Sequence, residues 1–225
     1  YSEANSSYES ILERGSYGGR LDELLYQMAK AHALTGQQDA SIQRLKQLVG
    51  LYPKSPLVPE ARFRLAESAF AAGRYTEAET GYLHLVNSDA GGELGIKARY
   101  MLGWSQFKQG LSAWSRAAAT FIRVLDEFLP SAQSLGSVSD SSVDTIDDTF
   151  RVLALMAARN SGTDTLIAWL DGSRPHHWEH LLFDRLADYY AVKGETIASV
   201  AANQAFIDYS PSHRAVPAFR LQIVD

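Results

Sequence analysis

Three glycines at a constant spacing constrain the fold of this chain more than any other feature. Gly36, Gly73 and Gly110 stand 37 residues apart, and each follows a run of residues that favour helices. A large apolar residue lies eight places before each glycine and a small residue lies seven places before it. A period in the 30s, with small residues where two helices approach and a glycine where the chain turns, is typical of arrays of helical pairs. The pattern therefore predicts an all-α repeat fold.

Hydrophobic periodicity extends the array over residues 20–225 as about five helix pairs and an unpaired last helix. The predicted pairs span about 20–52, 59–87, 93–128, 143–170 and 176–209, and the last helix spans 213–224. Residues 1–19 are polar and rich in glycine and serine, which predicts a flexible segment before the array. The turn glycine of the fourth pair, Gly162, follows Gly110 by 52 residues instead of 37. The excess coincides with the Ser/Gly-rich run 131–142, which predicts an exposed polar insertion.

Composition excludes several classes of protein. The formal net charge is -5, whereas nucleic-acid-binding proteins usually carry a basic face. The chain has no cysteine, so disulfides, thiolate metal sites and a cysteine nucleophile are excluded. No apolar run reaches the length of about 18 residues that a transmembrane helix needs, so the sequence predicts no membrane span.

The repeat units resemble tetratricopeptide repeats, whose pattern includes a Leu-Gly pair, a following aromatic residue and an Ala-x3-aromatic element. The matching elements are Leu102-Gly103 with Phe107, Ala78-x3-Tyr82 and Ala117-x3-Phe121. The resemblance runs from about residue 20 to the end of the chain, and the second and third units match best. It implies a right-handed superhelical array of helix-turn-helix units.

The amino-acid sequence of the repeats also resembles that of envelope repeat proteins of Gram-negative bacteria. These proteins are of the outer-membrane assembly lipoprotein and Tol–Pal-associated types. The similar segments are residues 61–66, 73–79, 102–107, 209–212 and 215–218. This resemblance implies a periplasmic or outer-membrane-associated location, while a cytoplasmic location stays open.

In tetratricopeptide arrays, the first helices of successive pairs line a concave groove that binds partners. The family's groove positions correspond here to Tyr26, Lys30, Phe63, Glu67, Tyr100, Trp104 and Lys108. Aromatic residues flanked by charges suit an extended peptide or a partner helix, because apolar anchors supply affinity and charges set the register. In the competing interpretation, Phe70 and Phe107 pack between repeats and only Tyr26, Tyr100 and Trp104 are partly exposed.

The densest cluster of titratable residues follows Pro175. On a helix, His177, His180 and Asp184 would share one face, as a metal site requires. The alternative is a solvated or partly packed helix start, where polar residues commonly collect. The sequence shows no cofactor-binding motif and no catalytic motif, so it predicts neither a cofactor nor an enzyme.

The resulting hypothesis is a non-catalytic scaffold that binds a peptide or partner protein in the groove, in the bacterial cell envelope. One alternative is a self-assembly module of a larger repeat protein, in which the last helix or the exposed end of the first repeat forms a homo-oligomer. The other alternative is a metal-binding or enzymatic protein.

Overall fold

The structure is a computed structural model that describes residue 10 and residues 20–88, 92–131, 140–171 and 175–224. Within these ranges it contains eleven α-helices and no strand. In chain order the helices are α1 Leu21–Leu34, α2 Gln38–Leu51, α3 Val58–Ala71, α4 Tyr75–Asn87, α5 Gly92–Lys108, α6 Trp114–Phe128, α7 Asp140–Ala158, α8 Thr163–Leu170, α9 Glu179–Val192, α10 Thr196–Tyr209 and α11 Val216–Val224. Most consecutive helices pack together, most extensively α1 with α2, α3 with α4 and α9 with α10, which confirms the predicted all-α array of tetratricopeptide-like units.

The chain divides into two compact units, residues 1–109 and 110–225. The first unit contains α1 to α5, and the second contains α6 to α11. The sequence predicts one continuous array, whereas the boundary between the units falls at Gly110, inside the predicted third pair. The two helices of that pair, α5 and α6, therefore belong to different units.

The turns inside the first two pairs have the same geometry. Gly36 and Gly73 adopt φ angles of 76° and 74°, a region that residues with a Cβ occupy only at a cost. In both turns the N–H after the glycine donates to a carbonyl of the last helical turn. These bonds are Gln37 N to His32 O and Arg74 N to Ala69 O, each 2.9 Å long. Such bonds satisfy carbonyls that the helix end would leave unpaired. The positive φ of each turn is the reason why glycine occupies it.

In the first unit, small residues allow paired helices to approach closely. A Cβ atom added at Gly81 on α4 would lie 2.9 Å from the Cβ of Ala66 on α3, which is too close for two carbon atoms. Beside this contact Phe63 packs edge-to-face on Tyr82, with ring centroids 5.5 Å apart. Ala66, Phe63 and Tyr82 belong to a buried cluster that continues into α5 through Leu102.

In the second unit, Asp126 on α6 holds the segment that precedes α9. Its Oδ1 accepts a hydrogen bond from Trp178 Nε1 at 3.1 Å and lies 2.6 Å from His176 Nδ1. Trp178 is fully buried, and its ring stacks on His176 at a centroid distance of 4.7 Å. The backbone N–H of His176 donates to Glu179 Oε1 at 2.7 Å. The carboxylate of Asp126 therefore satisfies two donors, Trp178 Nε1 and His176 Nδ1, that would otherwise be buried without an acceptor.

The helix boundaries differ from the predicted ones by a few residues. Helix α7 begins at Asp140 rather than near residue 143, and α9 begins at Glu179 rather than at His176. The later start of α9 has a physical reason, because the contacts with Asp126 hold His176 outside the helix. The predicted flexible segment 1–19 lies outside the described residues except for residue 10, and so do residues 132–139 of the predicted insertion. Both interpretations stay predictions.

Replacing Asp126 with alanine should destabilise the second unit by about 2 kcal/mol or more, because Trp178 and His176 would each lose their acceptor. Urea denaturation followed by circular dichroism measures the loss. Asp208→Ala is the matched control, since the hydrogen bond that Asp208 accepts within the described part of the chain is an exposed one from Gln204. The control should change stability by less than about 0.5 kcal/mol. Equal losses of stability in the two variants would show that the carboxylate of Asp126 does not stabilise the second unit.

Candidate functional site

A cavity of about 410 Å³ lies between α1, α2 and α3. We call it the first cavity. Three of the predicted groove residues, Tyr26, Lys30 and Glu67, line it together. Its other lining residues are Ala29, Ala33, Leu34, Gln38, Ser41, Ile42, Leu45, Arg64, Ser68 and Ala71. Most of these are apolar or small, so the cavity combines an aliphatic wall with a few polar groups, as ligand-binding pockets commonly do.

Two cations lie at the first cavity in different electrostatic environments. Arg64 donates from Nε to Glu60 at 3.0 Å and from Nη1 to Glu67 at 2.8 Å. Burial lowers the pKa of Arg64, but Glu67 and Glu60 outweigh it, so the net shift is upward. Lys30 is exposed and makes no ion pair within the described residues. Its Nζ lies 5.9 Å from the centroid of the Tyr26 ring. Lys30 is therefore the cation at this cavity that a partner carboxylate can approach without displacing an existing pair.

Tyr26 presents an aromatic surface between these charges. Its side chain is half-buried and lines the first cavity. Burial raises the pKa of its hydroxyl, and the carboxylate of Glu60 raises it further. The phenol therefore stays neutral over the physiological range, and its hydroxyl lies within hydrogen-bonding reach of Arg64 and Glu60 at the end of an apolar ring.

Phe63, also predicted to line the groove, is buried instead. It is only 6% exposed and packs in the core between α3, α4 and α5. Its ring makes an edge-to-face contact with the ring of Tyr82, and this contact joins the two helices of the second pair. Its assignment to the groove is therefore corrected to the core. The neighbouring Arg64, which the sequence interpretation missed, lines the cavity. The spacing of Arg64 from Glu60 and Glu67 was the available signal, since oppositely charged residues three and four apart pair on a helix.

The third group of predicted groove residues lies on α5 and does not line the first cavity. Trp104 is half-buried between two aromatic rings, with centroid distances of 6.2 Å to Tyr100 and 5.4 Å to Phe107. Lys108 is exposed. A binding role for Tyr100, Trp104 and Lys108 stays a prediction. Phe70, by contrast, packs against the buried cluster of α3 and α4, as the competing interpretation expected.

The candidate metal ligands are not brought together. His177 is exposed, whereas His180 is half-buried with its ring 4.9 Å from that of His213. Burial lowers the pKa of His180, and His213 lowers it further. Asp184 accepts a hydrogen bond from Gln222 at 2.9 Å. In the part of the chain that the structure describes, no three His, Asp or Glu side chains are placed to hold a metal ion. The second interpretation, a partly packed helix start, describes this cluster better.

Among the described helices, none has the length and apolar character needed to cross a membrane. Residues 26–90 match the family model of the tetratricopeptide repeat. The match covers most of the first two helix pairs and includes every residue that lines the first cavity. It supports the predicted tetratricopeptide superfamily, whose repeats generally mediate protein–protein interactions and are typically not enzymes. None of the curated proteins matches the chain.

Proposed function

We propose that this chain is a non-catalytic scaffold that binds an extended segment of a partner protein at the first cavity. The observation that carries the proposal is an aliphatic wall next to Lys30, a cation that makes no ion pair with any described residue and lies beside the ring of Tyr26. The segment that fits has a large apolar side chain and an acidic residue close to it. The apolar side chain packs against Ala33 and Leu34, and the carboxylate pairs with Lys30.

The size and the charge of the site favour a peptide segment. A cavity of about 410 Å³ falls in the range of small-ligand pockets and accommodates one large side chain with its neighbours. Arg64 pairs with both Glu60 and Glu67, so these three residues carry one excess negative charge, which the positive charge of Lys30 at the same cavity offsets. They fix the rim of the cavity and set the register of the bound segment. Leu34 is 62% exposed, so it offers apolar surface that a partner would remove from water.

We also propose that the partner is met in the envelope of a Gram-negative bacterium, in the periplasm or at the outer membrane. This part of the proposal is supported by the resemblance of residues 61–66 and 73–79 to envelope repeat proteins. The test is to capture partners with the purified chain from periplasmic, outer-membrane and cytoplasmic fractions separately. A partner recovered only from the cytoplasmic fraction would contradict the location without contradicting the site.

Two variants test the first cavity. Lys30→Glu reverses the unpaired charge, and Ala33→Phe fills the cavity from an exposed position on α1. The partner segment is first identified by crosslinking and is then titrated as a synthetic peptide by fluorescence anisotropy. Each variant should weaken binding about tenfold or more, since a charge-assisted hydrogen bond contributes about 1.5–3 kcal/mol. Lys30→Glu should also slow association more strongly at low salt.

The matched control is Lys54→Glu, which makes the same charge change at an exposed residue outside the cavity. It should bind the peptide as the wild type does. If Lys30→Glu and Ala33→Phe fold normally and bind the peptide with wild-type affinity, the first cavity is not the binding site.

The stripe on α5 is a second contact region of the same proposal. Tyr100, Trp104 and Lys108 are spaced by four residues and so share one helical face. Trp104→Ala should cost about 2 kcal/mol or more of partner binding while helicity is retained. Trp104→Phe keeps an aromatic ring and should lose less. A Trp104→Ala variant that unfolds would show that Trp104 serves the core, and one that binds normally would restrict the site to the first cavity.

Self-assembly is the second candidate function, because α11 carries exposed apolar side chains. Leu221 is 67% exposed and Val224 is 83% exposed. If this face joins copies of the chain, the mass measured by light scattering should rise with protein concentration, and Leu221→Lys should keep the chain monomeric. A monomer at every concentration would reject self-assembly and leave the scaffold proposal unaffected.

A further inference from the structure

A second cavity, of about 370 Å³, lies between α2, α3 and α4. Four side chains that carry or can acquire positive charge line it: Lys46, Arg62, Arg74 and His84. The single carboxylate in the lining is that of Glu77. This surplus of cations occurs in a chain whose formal net charge is -5. The second cavity therefore differs in charge from the chain as a whole.

Existing ion pairs do not neutralise this surplus. Arg74 Nε lies 2.7 Å from Glu77 Oε2, so these two residues compensate each other. Within the described residues, Lys46 and Arg62 make no ion pair. Two unpaired cations at one cavity repel each other and attract an anion.

Arg62 adds an independent indication of a ligand. Its Nε is buried and has no hydrogen-bond partner among the described residues. Buried donors in folded proteins are nearly always paired, and an arginine guanidinium presents several donors that match the oxygens of a carboxylate or phosphate group. An anion in the second cavity would pair with the guanidinium of Arg62, whose charge no described residue compensates.

The wall of the second cavity is apolar. Ile42, Leu65 and Ala69 line it, and Gly81 contributes no side chain. Because α3 and α4 approach closely at Gly81, no Cβ fits there without meeting Ala66. A ligand that carries only charge would leave this aliphatic surface uncovered.

We propose that the second cavity binds a small amphiphilic anion. The carboxylate or phosphate head lies between Lys46 and Arg62, and a short apolar body packs against Ile42, Leu65 and Ala69. This site is separate from the first cavity, although Ile42 lines both. It does not depend on the proposed scaffold function, since α3 presents Arg62 to one cavity and Arg64 to the other.

The test is a calorimetric titration of the full chain with octyl phosphate and with octanoate, both below their micelle concentrations. We expect saturable binding of at least one of them, and the tighter of the two identifies the preferred head group. Inorganic phosphate, which lacks the apolar body, and octyl glucoside, which lacks the charge, should each bind at least about tenfold more weakly. Added salt should weaken the binding of the anions.

Four variants locate the site. Lys46→Gln and Arg62→Gln should each lower the affinity about tenfold, because each removes one charge-assisted contact. Lys54→Gln, an exposed lysine outside the cavity, and Arg64→Gln, which lines the first cavity, should bind like the wild type. Lys46 is exposed, so its variant tests the proposal even if Arg62→Gln folds poorly. The proposal is overturned if neither anion saturates, if octyl glucoside binds equally well, or if folded Lys46→Gln retains wild-type affinity.

Discussion

The close approach of two helices within a pair is the constraint on which the rest of the first unit depends. At Gly81 and Ala66 the helices α4 and α3 are so close that an added Cβ would be 2.9 Å from its neighbour. The turn at Gly73, with φ of 74°, brings α4 back along α3 within a few residues. A helix pair closed in this way cannot bury its remaining apolar face by itself, so it must pack on its neighbours. The buried cluster that continues from α3 and α4 to Leu102 on α5 shows this dependence.

The same packing creates the two cavities. Small residues such as Ala29, Ala69 and Ala71 let helices approach but do not fill the spaces beside the contacts. Helix α3 lies between these spaces. Arg62 and Arg64 are two residues apart and so point about 200° apart around its axis. One arginine therefore lines the second cavity and the other lines the first. A single helix thus separates a site of mixed charge from a site with unpaired positive charge.

Much of the fold could be predicted from the sequence, because its main signals are local. The spacing of Gly36 and Gly73 predicted where the helices turn, and the structure places both glycines in left-handed turns. For the site, the family register assigned Tyr26, Lys30 and Glu67 to the groove, and these three side chains line one cavity. It failed at Phe63, which occupies the same repeat position as Tyr26 but is only 6% exposed. The difference arises from Tyr82 on the neighbouring helix, and repeat position alone carries no information about that neighbour.

The sequence by itself determined the helices and the turns of the first two pairs, because apolar periodicity and a glycine at positive φ act over a few residues. Only the tertiary structure decided which side chains these helices bury and which they leave for a ligand. Asp126 contacts His176 and Trp178, which lie about 50 residues away in the chain, and no local sequence pattern predicts that contact. That Lys30, Lys46 and Arg62 make no ion pair with the described part of the chain is likewise a property of what lies around them. Pairing is decided by the distances between elements, and those distances exist only once the helices have packed.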